Sequence, residues 1–252
     1  VVGKQDEDLT RHDKWLCMMY PRLKLLRELL SDDGLIFISI DDDEHDNLEI
    51  ILKEIFGEEN FISNIVWQKV YSTKNQSKRI SVDHEYIVSY AKNIENADFN
   101  LLPRTEKMNN SYKNRDDDPK GPWASGDLIS AEERKNGHFI ITGPHGDEFD
   151  CPPGKHWSYS KINMMKFLNG NKLWFGKTGK NFPRIKQYLN EVQGRKPSTL
   201  FLYQEAGHTD EAKKELKKMF KESDEPFPTP KPSRLIKQIL HLSSQKNSII
   251  LD

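Results

Sequence analysis

The sequence predicts an α/β fold: an incomplete doubly wound sheet that carries an inserted α+β module. Three observations predict it. A helix–strand–helix series opens the chain. From about residue 95 to 225 that texture gives way to short β-like pieces among frequent Gly, Pro, Asn and Lys. A helix and an apolar strand then close the chain.

The first helix is expected over residues 13–31. Leu16, Met19, Leu23, Leu26 and Leu30 recur at spacings of three and four and make one apolar stripe. Thr10 and Asp13 give a start signal. Pro21 lies inside the pattern and should kink or restart the helix, and Asp32-Asp33-Gly34 should stop it with Gly34 left-handed. Leu35-Ile36-Phe37-Ile38-Ser39-Ile40 is a short continuous apolar run between turn signals, the pattern of a strand buried on both faces as in a parallel sheet. A second helix at about 44–56 buries Leu48, Ile51, Leu52, Ile55 and Phe56, and Gly57 ends it. Strands at 61–68 and 85–92 are separated by a polar stretch too short for a helical crossover, so an antiparallel hairpin with a long loop is expected.

The middle stretch should hold strands at 138–142, 172–175 and 199–203, helices at 160–168 and 210–220 with Thr209 as cap, and a loose acid-rich connector at 109–120. Phe227-Pro228-Thr229-Pro230-Lys231-Pro232 is a stiff extended linker. Ser233 is then expected to cap a helix that buries Leu235, Ile236, Ile239, Leu240 and Leu242, and 248–252 is an apolar strand ending on an acid. The domain reading is 1–94, 95–225 and 226–252.

Composition bounds the function. Charged residues make up 31% of 252 residues against 35% hydrophobic, with a formal net charge of −1. No apolar run approaches the roughly 18–20 residues of a membrane span, and the first residues hold no apolar signal region. Cys17 and Cys151 lie far apart and match no metal or C-x-x-C pattern, so the reading is a cytoplasmic protein with free thiols. Positive charge is local. Lys69, Lys74, Lys78 and Arg79 occur without an intervening acid, and Lys172 to Lys196 holds seven basic residues against Glu191 alone. Such stretches suit contact with phosphates on one surface. A solvated lysine-rich face is the plainer reading of the charge alone.

Longer motifs are more specific. Arg11-His12-Asp13-Lys14-Trp15 through Arg22-Leu23, and Leu29 through Asp42, resemble the stretch that follows the D-P-P-Y motif in type III restriction–modification Mod methyltransferases. Phe56–Ile62, Ile65-Val66-Trp67-Gln68-Lys69 and His84–Asn93 continue the likeness. So do Pro152-Pro153-Gly154 with Trp157, Leu173-Trp174-Phe175-Gly176, Pro183-Arg184-Ile185-Lys186, Ala206-Gly207-His208-Thr209 and Thr229-Pro230-Lys231-Pro232.

The resemblance spans essentially the whole chain. It implies a Rossmann-like methyltransferase sheet interrupted by a target-recognition module, in the β-class order. It also implies a parent enzyme that moves a methyl group from S-adenosylmethionine to the exocyclic amine of adenine in double-stranded DNA. The base must leave the helical stack to react, so an aromatic platform and a polar rim are expected around it. A Mod homodimer and a restriction (Res) subunit are the implied partners.

By the same resemblance Trp67, Gln68 and Lys69 are the base-pocket edge, and Lys231, Pro232 and Asp252 the cofactor edge. Lys74, Lys78, Arg79, Lys177, Lys180, Arg184 and Lys186 are the DNA contacts. A core tryptophan at a sheet end and an ordinary helix start are the plainer alternatives for the first two groups. The D-P-P-Y motif and the Gly-rich cofactor loop are absent, so no catalytic residue is assigned. The chain is expected to be an internal piece of a longer protein, inactive alone. Two other readings compete: a non-enzymatic DNA-binding or assembly module, and a magnesium nuclease built on Asp41-Asp42-Asp43-Glu44. Helix capping and dipole complementarity explain that acidic run more simply than a metal does.

Overall fold

A computed structural model describes residues 10–72, 80–221 and 227–252. The chain divides into two units. One comprises residues 1–102 with 196–252, and the other Pro103–Arg195.

The first unit contains α1 (Arg11–Leu29), β1 (Leu35–Ile40), α2 (His45–Phe56), β2 (Phe61–Gln68) and β3 (His84–Ala91). In the second unit lie α3 (Glu106–Asn109), β4 (Trp123–Gly126), β5 (Ile129–Ala131), β6 (Ile141–Thr142), β7 (Glu148–Phe149), β8 (Lys155–Trp157), α4 (Lys161–Asn169), β9 (Leu173–Trp174) and β10 (Arg184–Tyr188). The chain then returns to the first unit with β11 (Leu200–Phe201), α5 (Tyr203–Ala206), α6 (Thr209–Met219) and α7 (Ser233–Ser243).

The sheet of the first unit has the order β1-β3-β2-β11. β2 and β3 form the expected antiparallel hairpin. β1 also pairs antiparallel to β3, and only β11 runs parallel to its neighbour β2. The sheet is therefore mixed, not the parallel one that the apolar run of β1 suggests. β1 is an edge strand: among the described residues nothing pairs with its other side, and it is half-buried for most of its length.

Side chains alternate across this sheet. Ile36, Ile38, Ile40, Val88 and Tyr90 face α1 and α2 and pack with Leu23, Leu48, Leu52 and Phe56. Phe37, Ile65, Trp67 and Ile87 face the other way and pack with Phe201, Ala206, Leu235 and Leu242. Helices thus cover both faces. The apolar stripes of α1 and α2 are those read from the sequence, although Ile236 of α7 stays 39% exposed.

Several local expectations change. α1 runs through Pro21 as one helix, since Pro21 removes a single N–H from the ladder. It ends at Leu29, and Gly34 is not left-handed. Glycine is needed there for close approach, because a Cβ would lie 2.8 Å from the Ser31 carbonyl oxygen. His208, not Thr209, caps α6, through a ring nitrogen 3.3 Å from the Glu211 amide. Ser233 caps nothing and instead donates its N–H and hydroxyl to Glu215. Residues 248–252 form no strand, and Ile249 is 98% exposed. The span 196–221 belongs with the first unit because β11 pairs with β2 and Ala206 is buried in that core. The second unit is correspondingly shorter than the expected insert at 95–225.

The second unit buries Leu128, Ile141, Cys151, Trp157, Met164, Leu173, Phe175 and Ile185 in one core. On the other face of β10 lies a charged centre. Lys186 is buried and its ammonium sits 2.6 Å from Asp116 and 2.7 Å from Asp118. Tyr188 donates to Asp118 at 2.8 Å, and the Trp123 indole donates to Asp116 at 2.8 Å. The acid-rich stretch 109–120 is therefore an ordered supplier of counter-charges, not a loose connector. Burial pushes the Asp118 carboxyl up, but hydrogen bonds from Lys186, the Lys120 amide and Tyr188 overcome this and hold it at about 2. The stabilisation it provides is complete above the unfolded-state value of about 3.9 and is lost as pH falls toward 2.

Lys186→Met leaves the buried Asp118 and the partly buried Asp116 without their cation and should destabilise this unit by about 3–5 kcal/mol, read as a lower urea midpoint. Asp118→Asn should flatten the acid limb of the stability profile between about pH 4 and pH 2. An unchanged limb would place the acid sensitivity elsewhere.

Candidate functional site

β2 ends at Gln68, and its last turn of chain is held from several directions. Trp67 is fully buried, so its indole N–H needs a partner, and the Gly207 carbonyl accepts it at 2.9 Å. The Thr209 amide donates to the Lys69 carbonyl at 3.0 Å. Gly207 sits at φ +77°, and a Cβ there would meet Pro232 at 2.9 Å, so only glycine lets the two segments touch.

Glu85 on β3 joins the two groups of predicted residues. Its carboxylate accepts from Lys69 at 3.2 Å and from Lys231 at 2.7 Å. The Lys231 ammonium also lies 5.4 Å from the centre of the Trp67 ring. Burial pushes the Glu85 carboxyl up, but Lys231 first and Lys69 second outweigh it and hold it below the ordinary carboxylate range. Arg234 secures the far side. It grips Glu211 with two contacts of 2.6 and 2.7 Å and donates to the Gln204 carbonyl at 2.6 Å.

An aromatic patch adjoins this cluster. Tyr71, just beyond the strand end, lies 5.3 Å from His208 and 6.4 Å from Tyr203, ring centre to ring centre. Tyr71 is 59% exposed, so the patch is open to solvent. The sequence reading expects an aromatic platform but does not find these residues. They come from two places 132 positions apart (203 minus 71), and only the fold joins them.

The structure thus brings Trp67, Lys69, Lys231 and Pro232 together. Gln68 is half-buried and pairs with His84 across the hairpin. Asp252 is exposed and takes no part in the cluster. Lys74, Lys78 and Arg79 lie outside the described residues. Asp43 pairs with Arg11 at 3.1 Å, and Glu44 accepts from Asn47 at 2.8 Å, so part of the acidic run is tied to neighbouring helices. Among the described residues no three His, Cys, Asp or Glu side chains gather as metal ligands, and no helix is long and apolar enough to cross a membrane.

In the second unit the β9–β10 loop presents Lys177 and Lys180 to solvent, with Gly176 and Gly179 both at positive φ. Arg184 is exposed but committed to Asp127 at 2.6 Å. Lys186 is not a surface phosphate contact, because its ammonium is consumed by Asp116 and Asp118 inside the fold. The loop borders a cavity of about 440 Å³ lined in part by Trp174, Phe175, Asn171 and Thr142.

Residues 2–252 match the family described as DNA methylase. Among curated proteins, the type III restriction-modification enzyme StyLTI Mod subunit of Salmonella typhimurium is 35% identical over the whole chain. The EcoP15I Mod subunit of Escherichia coli is 27% identical over 96% of it. The type II methyltransferase M.KpnI of Klebsiella pneumoniae is 26% identical over 96% of it. The chain spans 39%, 42% and 60% of the lengths of these three relatives.

Glu85→Gln removes the charge that answers both lysines and should destabilise the first unit by about 1–3 kcal/mol at neutral pH. A depressed carboxyl stabilises above its unfolded value of about 4.3 and loses that contribution on acidification. The gap between wild type and variant should therefore narrow as pH drops below 4.3, which urea unfolding at several pH values will read.

Proposed function

The chain belongs to the DNA methylase family, and on that premise we propose that it is the base-presenting and DNA-reading part of an adenine-specific DNA methyltransferase. The whole protein is the Mod subunit of a type III restriction–modification system. It acts in the cytoplasm on double-stranded DNA, as a homodimer beside a restriction subunit. The observation that carries this reading is the convergence of Trp67, Lys69 and Lys231 on Glu85, beside the open patch of Tyr71, Tyr203 and His208. Residues on either side of the second unit in sequence meet there.

The exocyclic amine of adenine is a poor nucleophile because its lone pair is delocalised into the ring. A methylase must extrude the base, hold its plane and orient the amine. The aromatic patch supplies a stacking face for the base. The Trp67–Gly207 and Lys69–Glu85 ties fix the strand end that borders it. Residues 103–195 act as the target-recognition module inserted into a doubly wound methyltransferase sheet, whose edge strand is β1. Their exposed Lys177 and Lys180 meet phosphates, as do Lys74, Lys78 and Arg79 of the first unit.

S-adenosylmethionine supplies the methyl group in this chemistry. The described residues do not by themselves form its site. Pro232 is buried against Gly207, the Lys231 ammonium is already held by Glu85, and Asp252 stands apart from both. The remaining donors are assigned to the rest of the protein. Of the competing readings, a binding module without enzyme activity is not favoured by the match to the DNA methylase family, and a nuclease lacks its metal cluster among the described residues.

Transfer of a labelled methyl group to duplex DNA tests the proposal. The whole protein should methylate adenine and residues 1–252 alone should not. Tyr71→Ala should reduce kcat/KM by roughly 5- to 150-fold, the equivalent of about 1–3 kcal/mol of base stacking. No adenine methylation by the whole protein would contradict the reading.

A further inference from the structure

α6 sorts its charges by face. Glu211 and Glu215, four residues apart, turn toward α7, where Glu211 takes Arg234 and Glu215 takes both the amide and the hydroxyl of Ser233. Ala212 is buried on the same side. Lys214, Lys217 and Lys218 follow the spacing i, i+3, i+4, which puts them in one stripe; Lys221 lies just past the end of the helix, and all four are exposed. Asp210 answers Lys214 at 3.3 Å, an exposed pair of little energetic weight. Among the described residues no carboxylate forms an ion pair with Lys217, Lys218 or Lys221.

A face kept only for solubility mixes both signs and forms i, i+4 pairs along the helix. Here the acids are used inward and the outer stripe is left almost wholly positive. The helix also starts at the candidate site, since Gly207 and Thr209 carry the contacts to Trp67 and Lys69. From these observations we infer that the outer stripe of α6 docks the phosphate backbone of duplex DNA beside the base-presenting site. The inference rests on the proposed function and extends it to a surface outside the recognition module.

Duplex backbone is the partner that the chemistry fits. Lysine ammoniums are point charges on flexible stems, and the stripe offers no amide or guanidinium fork for reading base edges. From Lys214 to Lys218 the rise is about 6 Å at about 1.5 Å per residue, and one strand presents a phosphate roughly every 3.4 Å of helix axis, so the helical stripe spans about two phosphates, with Lys221 just beyond it. The contact positions the duplex without selecting sequence.

Fluorescence anisotropy with the whole protein and labelled duplexes, titrated across salt, is the test. Replacing Lys217, Lys218 and Lys221 by Gln together should lower the slope of log affinity against log salt by roughly 2–3, at about 0.9 per lost phosphate contact. Cognate and non-cognate duplexes should weaken by the same factor, and the triple Lys→Arg variant should keep the wild-type slope. If the triple Gln variant does not fold, Lys217→Gln alone should lower the slope by about 0.9. A folded Gln variant with wild-type slope overturns this inference while leaving the methyltransferase reading intact. Wild-type protein that neither binds nor methylates DNA overturns both.

Discussion

One carboxylate holds the candidate site together. Glu85 lies on an inner strand between two ammoniums, one just past the end of β2 and one in the segment that opens α7. Those two lysines are 162 positions apart (231 minus 69) and would repel each other without it. The rest of the local structure depends on this neutralisation. Lys231 can sit over the Trp67 ring because Glu85 fixes it there, Pro232 then packs on Gly207, and Gly207 is where the Trp67 indole finds its acceptor. Tyr71 of the aromatic patch rides on the first of these segments, and Tyr203 and His208 flank the Gly207 turn that receives the Trp67 indole.

The second unit solves a related problem at greater depth. Lys186 is placed against two carboxylates, with Tyr188 donating to the same Asp118 oxygen, the Lys120 amide to its other oxygen, and Trp123 to the second oxygen of Asp116. Such a centre is costly to break once one partner is removed, because the remaining charges stay buried. It gives a unit of very short strands a directional anchor that its apolar core lacks. In both units a lysine that looks like a surface charge in the sequence is a structural element.

Those lysines mark the limit of what the sequence discloses. Periodicity was enough for α1, α2 and the β2–β3 hairpin, since their apolar residues report a local repeat. Of the residues that the resemblance assigns to a base-pocket edge and a cofactor edge, the fold joins Trp67, Lys69, Lys231 and Pro232. Lys186 was not legible: a lysine within a basic run carries no local sign that Asp116 and Asp118 will surround it. Nor was the return of 196–221 to the first unit, which depends on the pairing of Leu200 and Phe201 with a strand more than 130 residues earlier. β1 reads as an interior parallel strand because its residues are apolar apart from Ser39, yet it pairs antiparallel at an edge. Composition reports burial, not the direction of a neighbour.

The central claim is that Glu85 makes one site of two chain segments, and a double-mutant cycle tests it most directly. Methyl-transfer kcat/KM would be measured for the whole protein, Glu85→Gln, Lys231→Met and the double variant. The account predicts strong non-additivity, with a coupling of about 0.5–3 kcal/mol and a double variant little worse than either single one. Losses that simply add would contradict it, because the two residues would then act independently.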